Sequence, residues 1–311
     1  MSLFELRTAY QNGRITKQQY IDEMHGVHAR LFEYAEFLRN TDIARIEITD
    51  EQVVMQERES TIRIVCDKAD KRIAPIEILN FGNYEKADMN MVLQLLQDGQ
   101  TVFDVGANVG WYSITFAKRF PNMQVFAFEP ISATFGYLQR NIALNQLANI
   151  RVNNFGFSDH NGELVFHFHP AGSGSASAVD LMGTGTAQRI HCTVRKLDDF
   201  VVQAGVTRID FMKCDVEGAE LFVLVGGIES IKRFKPMIFI EMLRKWAAKF
   251  NYHPNQIIEL MTGIGYRCFV RKDNALTEFR HMDEQTVETN FFFLHTHAHA
   301  AKVKAFAKSP I

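Results

Sequence analysis

The chain has 311 residues, of which 47% are hydrophobic and 23% charged, the composition of a globular protein with a sizeable core. A formal net charge of −2 leaves no basic excess to neutralise a phosphate backbone, which argues against a dedicated nucleic-acid binder. Cys66, Cys192, Cys214 and Cys268 include no CxxC pair, against a disulfide framework or zinc knuckle; with no signal-like or membrane-length apolar run, the expected location is cytoplasmic.

Tyr20, Met24, Val27, Leu31, Tyr34, Phe37 and Leu38 recur at three- and four-residue steps and predict an amphipathic helix over 16–40. From Ile43 the period changes. Residues 43–48, 53–55, 62–66 and 76–78 read as short strands between charged turns, a small antiparallel meander. The expected division is an appendage over 1–74, a main domain over 75–295 and a peripheral tail over 296–311. A helix over 89–97 stops at Asp98 and Gly99. VFDVGANVG (Val102 to Gly110) then gives a buried strand and two glycines that let the backbone approach a ligand, and WYSITFAKRF continues with helical spacing.

Strands expected at 124–128, 150–155, 208–213 and 237–241 alternate with helices at 132–144, 217–225 and 254–262, the pattern of a doubly wound α/β sheet. Extra strands at 163–169 and 191–195 flank GSGSAS (172–177), read either as a lid or as a solvated loop. Residues 266–271 and 290–294 are apolar enough to pair at the sheet edge.

Glu129 ends the apolar strand QVFAF nineteen residues after Gly110, where an acid accepts hydrogen bonds from both hydroxyls of a ribose. The GxxxG spacing, with Asp104 just ahead, differs from the GxGxxG turn that holds a dinucleotide pyrophosphate. Asp104 would repel that group and attract the ammonium of S-adenosylmethionine, so charge favours the methyl donor over NAD. In DFMKCDVEGAE (Asp210 to Glu220), Lys213 and Asp215 alternate at a strand end, and Asp215 and Glu217 converge on the expected ligand edge; Glu220 reads as a solvated or capping residue. His167 and His169 alternate on the inserted strand, read either as lining an acceptor pocket or as solvated strand residues. His295, His297 and His299 alternate too, and read as surface residues rather than a metal site.

These segments together resemble the FkbM-type family of S-adenosylmethionine-dependent methyltransferases, which act mainly as O-methyltransferases. FDVGANVGWYS (103–113), FAFEP (126–130) and MKCDVEGAELFVL (212–224) carry the resemblance, IFIEM (238–242) more weakly, and it covers roughly 81–294. Tyr84 and Glu85 resemble the YE element before the family's first core helix, whereas the first 74 residues match nothing. The resemblance implies a mostly parallel, seven-stranded Rossmann-like sheet. It places Asp104, Gly106, Asn108 and Gly110 at the methionine moiety, Glu129 at the ribose and Ser158 and Asp159 near the adenine. Tyr84, Glu85, His167 and His169 fall to the acceptor, a small molecule or sugar of glycan or polyketide type. Asp215 is the first candidate base, with Glu217, Lys213 and Glu241 as rivals; alternatively Asp215, Glu217 and Glu241 hold a divalent cation. An NAD-dependent oxidoreductase and a non-catalytic binding module of the same fold stand as alternatives, and oligomeric state is left open. No NPPY or DPPY stretch speaks for flipped-base chemistry.

Overall fold

Two capping boxes start the chain: Ser2 and Thr16 each accept a hydrogen bond from the backbone N–H three residues on, and Glu5 and Gln19 accept one in return. The helices they open, α1 (Leu3–Gln11) and α2 (Lys17–Phe37), pack on one another, with the Tyr10 and Tyr20 rings stacked at 4.7 Å. This computed structural model describes residues 1–172, 174, 176–181, 183 and 187–307. The expected meander follows as β1 (Ile43–Ile48), β2 (Val53–Glu57) and β3 (Arg63–Cys66), all antiparallel. Its fourth expected strand, 76–78, is instead part of α3 (Ala74–Phe81). Two isoleucines two residues apart match the strand period, but Pro75, seated in the first turn where no N–H is needed, decides for helix.

After α4 (Lys86–Leu95) the alternation begins: β4 (Thr101–Val105), α5 (Trp111–Arg119), β5 (Gln124–Phe128), α6 (Ser132–Leu144) and β6 (Ile150–Asn153). The inserted segment makes a separate three-stranded sheet of β7 (Gly156–Phe157), β8 (Gly162–Phe168) and β9 (Gln188–Arg195), in the order β7-β9-β8. Next come α7 (Leu197–Gln203), β10 (Phe211–Cys214), α8 (Glu220–Gly226), α9 (Ile228–Phe234) and β11 (Met237–Glu241). The chain closes with α10 (Arg244–Ala247), α11 (Asn255–Gly263), β12 (Tyr266–Lys272), β13 (Ala275–Glu278), β14 (Asn290–His295) and α12 (Ala300–Phe306).

The main sheet runs β13-β12-β14-β11-β10-β4-β5-β6, parallel from β11 to β6 and antiparallel on the other side. β4, β5, β10 and β11 are buried along nearly their whole length, as expected of parallel strands covered by helices on both faces. The sheet carries one strand beyond the expected seven, β13, whose ALTE sequence is too short and polar to read as a strand. Part of the expected tail packs on the core, and its residues 308–311 lie outside the described residues. Val303, Phe306 and Ala307 lie against the core cluster that contains Phe292 and Leu276. The histidine alternation also ends early, because β14 stops at His295. That buried ring accepts from the His297 and Ala298 N–H groups, and the His299 Nδ1 accepts from the His295 N–H at 2.9 Å. Burial lowers the pKa of His299 to about 4 and also lowers that of His295, in the turn between strand and helix, whereas His297 is exposed, as expected of a surface residue. Among the described residues, no helix is long and apolar enough to cross a membrane.

Candidate active site

The strand order reverses between β4 and β10: the chain builds outward through β5 and β6, then returns to lay β10 and β11 on the other side of β4. Such a switch point opens a crevice at the carboxyl ends of the strands. Here it holds a cavity of about 920 Å³, within the size range of small-molecule sites.

The glycine turn forms one wall. At Gly106 (φ +78°) a Cβ would stand 1.8 Å from the Asp215 carbonyl oxygen, so only glycine lets the β4 and β10 ends come together. Both the Gly106 and Ala107 N–H groups donate to the Phe128 carbonyl, at 3.1 and 2.9 Å. Asn108, in the left-handed region at φ +50°, turns its N–H to Glu129 Oε2 at 3.0 Å, while the Ile131 N–H donates to Oε1 at 2.8 Å. Glu129 is thus pinned by two backbone donors, 6% exposed, at the cavity wall. Burial raises its pKa to about 7 despite those two donors.

Asp104 is fully buried and not among the residues lining the cavity. Its Oδ2 accepts from the Ser113 N–H at 3.0 Å and hydroxyl at 2.5 Å, and its Oδ1 lies 3.6 Å from Lys213 Nζ without a hydrogen bond. The Asp104 carboxylate thus anchors α5 and stands beside Lys213, set back from the cavity. Lys213 donates to the Gly106 carbonyl at 2.8 Å and lies 3.2 Å from Asp215 Oδ2. Burial opposes its charge, but Asp215, Asp104 and Glu85 outweigh that and raise its pKa.

Beyond Lys213 the acids gather. Carboxylate oxygens of Asp215, Glu217 and Glu241 lie within 4.8 Å of one another, each half-buried. Burial first, then Asp215 and Glu220, push Glu217 to about 9; the same burial and the charges of Asp215 and Glu217 raise Glu241 well above the usual range. Glu85, in left-handed backbone at φ +45°, accepts from the Tyr112 hydroxyl at 2.7 Å and is raised to about 7, mainly by burial and then by Asp215. Glu217 shares that strained backbone region at φ +55°, as residues at working sites often do. Glu220 does not line the cavity. It is buried and accepts from the Val216 and Gly218 N–H groups, a loop cap rather than a solvated residue.

Ser158 and Asp159, joined by a 3.2 Å hydrogen bond, form another part of the wall beside Gly156 and Phe157. His169 lines the cavity, its Nε2 buried without a hydrogen bond. His167 does not line it, because β8 ends at Phe168 and the alternation breaks there; its backbone pairs with Ser177. The small-residue segment lies across this region. Ala171, Gly172, Gly174 and Ala176 line the cavity, and Ser177 donates to the Glu217 carbonyl at 2.8 Å; Ser173 and Ser175 lie outside the described residues.

Sequence reasoning missed the aromatic wall. Both tryptophans of the chain, Trp111 and Trp246, line the cavity, Trp111 edge-on to Tyr84 at 6.0 Å and Trp246 under the Lys245 ammonium at 4.2 Å. Their rarity in the chain was the available signal.

The family model for the methyltransferase FkbM domain matches residues 104–268. The 31-O-demethyl-FK506 methyltransferase FkbM of Streptomyces tacrolimicus is 31% identical over 158 residues, 42% of this chain and 60% of that protein. The 2-O-methyltransferase NoeI of Sinorhizobium fredii is 29% identical, over 48% of this chain and 65% of that one. The chain thus spans less than two thirds of these relatives. A crystal structure of methyltransferase FkbM from Methylobacillus flagellatus aligns at TM-score 0.40 and 18% identity, covering 64% of this chain and 45% of that one.

Proposed function

The chain belongs to the FkbM methyltransferase domain family, and on that premise we propose that it is an S-adenosylmethionine-dependent O-methyltransferase acting on a hydroxyl of a small molecule or sugar. One observation carries the reading: a carboxylate pinned by two backbone donors at the end of β5 opens into the same cavity as a three-acid cluster across β4, at the ends of β10 and β11. The residues fit the donor. Glu129 lines the cavity and each of its oxygens, with one backbone donor, has capacity for a ribose hydroxyl; the turn from Gly106 to Gly110 suits the methionine end, and Ser158 with Asp159 offers the polar edge an adenine needs.

When bound, the donor supplies an electrophilic methyl group. The chain's part is to hold the acceptor oxygen in line, take its proton and keep water out. Asp215 accepts the proton; Lys213, 3.2 Å away, holds that carboxylate in place. Glu217, pushed up to about 9, keeps its proton and donates a hydrogen bond to another oxygen of the acceptor, and Glu241 beside it is raised by the same burial and the charges of Asp215 and Glu217. Tyr84, Trp111 and Trp246 give it apolar ring faces. A second reading has its own observation: the same three acids stand close enough to share a divalent cation, which would acidify the hydroxyl instead.

Asp215→Asn should lower turnover at least ~10²-fold with S-adenosylhomocysteine affinity near normal, and Glu129→Ala should weaken that affinity ~10-fold or more. Calorimetric titration and single-turnover assays separate the two effects. Stabilisation by NAD but not S-adenosylhomocysteine would overturn the reading, and loss of turnover in EDTA, restored by Mg²⁺, would select the cation over the free base.

A further inference from the structure

Ten of the fifteen large hydrophobic residues exposed among the described residues fall within the first 37. They cover the α1–α2 pair. α2 buries none of its residues, and its principal contacts are with α1 and the turn that follows it. A 21-residue helix left this way is not explained by propensity alone, since helical stability in proteins comes mostly from packing of the apolar face.

The pattern on α2 says what covers it. Tyr20, Met24, Val27, Leu31, Tyr34 and Leu38 follow steps of four, three, four, three and four, the repeat of a coiled-coil seam. Tyr10 stacks on Tyr20 at one end and Leu38 packs on the meander at the other, so the open stretch runs from Met24 to Tyr34, with Leu31 56% exposed. Beside it Glu23 and Arg30 stand seven residues apart on the same flank. If two copies lie antiparallel across a two-fold axis, with Met24 of one beside Val27 of the other, Glu23 of each meets Arg30 of its mate. A parallel pair would instead set Glu23 against His28 and Arg30 against Ala35, with no carboxylate–guanidinium pair. A lipid surface is disfavoured, because residues 1–40 carry five acidic and five basic side chains and so no cationic excess.

We propose that the α1–α2 hairpin is a dimerisation arm, and that its occupant is the same arm of a second copy, the two hairpins closing into an antiparallel four-helix bundle. Equilibrium sedimentation of the full chain at micromolar concentration should give twice the 35.6 kDa chain mass. Leu31→Glu should yield monomer. Glu23→Arg should weaken the dimer at least ten-fold, and Glu23→Arg combined with Arg30→Glu should restore it, all with S-adenosylhomocysteine affinity unchanged because none of these residues lines the cavity. A monomeric wild type, or a Leu31→Glu variant that stays dimeric, overturns the proposal. Failure of the double reversal to restore the dimer overturns the antiparallel pairing. A monomer that co-sediments with phosphatidylcholine–phosphatidylserine vesicles assigns the surface to lipid instead.

Discussion

Glu217 shows how much of this site is made by neighbours. In sequence it is an acid at the start of a helix, where a dipole would favour its charge; in the fold, burial and two nearby carboxylates push it from 4.5 to about 9. A carboxyl whose folded pKa lies above its unfolded value binds more protons when folded. Its contribution to stability is therefore intact below pH 4.5 and is lost as pH rises toward 9. Glu217→Gln removes that loss. Urea unfolding should show the variant close to wild type near about pH 5 and more stable by roughly 1 kcal/mol or more near about pH 8.5. A constant difference across that range would mean that Glu217 is not the crowded group. The same crowding explains what sequence reasoning got only in part: Asp215, Glu217 and Glu241 are identifiable as acids near strand ends, but that they lie within 4.8 Å of one another is a property of the sheet order. Asp104 is the opposite case. Its position was legible and its burial was not, since the Ser113 and Lys213 contacts come from different elements.

Among the elements, α6 joins parts that are distant in sequence. Asn141, fully buried, accepts from the Val65 N–H at 2.8 Å and donates to the Val109 carbonyl at 2.8 Å, while Asn145 bonds both backbone groups of Arg63. One helix thus holds the meander and the end of the glycine turn in fixed relation. Asn141→Ala would leave a buried donor and a buried acceptor without partners, at about 2–4 kcal/mol, enough to lower the unfolding midpoint by several degrees. Because Val109 lines the cavity, the variant should also bind S-adenosylhomocysteine more weakly. A midpoint within a degree of wild type would show that the two connections are dispensable. Strands and helices of the main sheet were legible because apolar runs and periods are local. The helix at 74–81, the strand at 275–278 and the packing of residues 303–307 were not, because a proline's position and long-range pairing decided them.

For the molecule as a whole, the α/β alternation read from sequence and the reversal at β4 and β10 together account for where the cavity lies, and the arm of α1 and α2 stands apart from it. Glu85, Glu129 and Glu220 are each raised to about 7 from 4.5, chiefly by burial, so by the same sign the ligand-free protein loses stability as pH rises from about 4.5 to 7. The two tryptophans have a practical meaning of their own. Since Trp111 and Trp246 are the chain's whole complement and both face the cavity, indole emission from the protein reports from that one place. Titration with S-adenosylhomocysteine should shift or quench most of the fluorescence without any added label, and the optical signal would give the occupancy of the cavity directly.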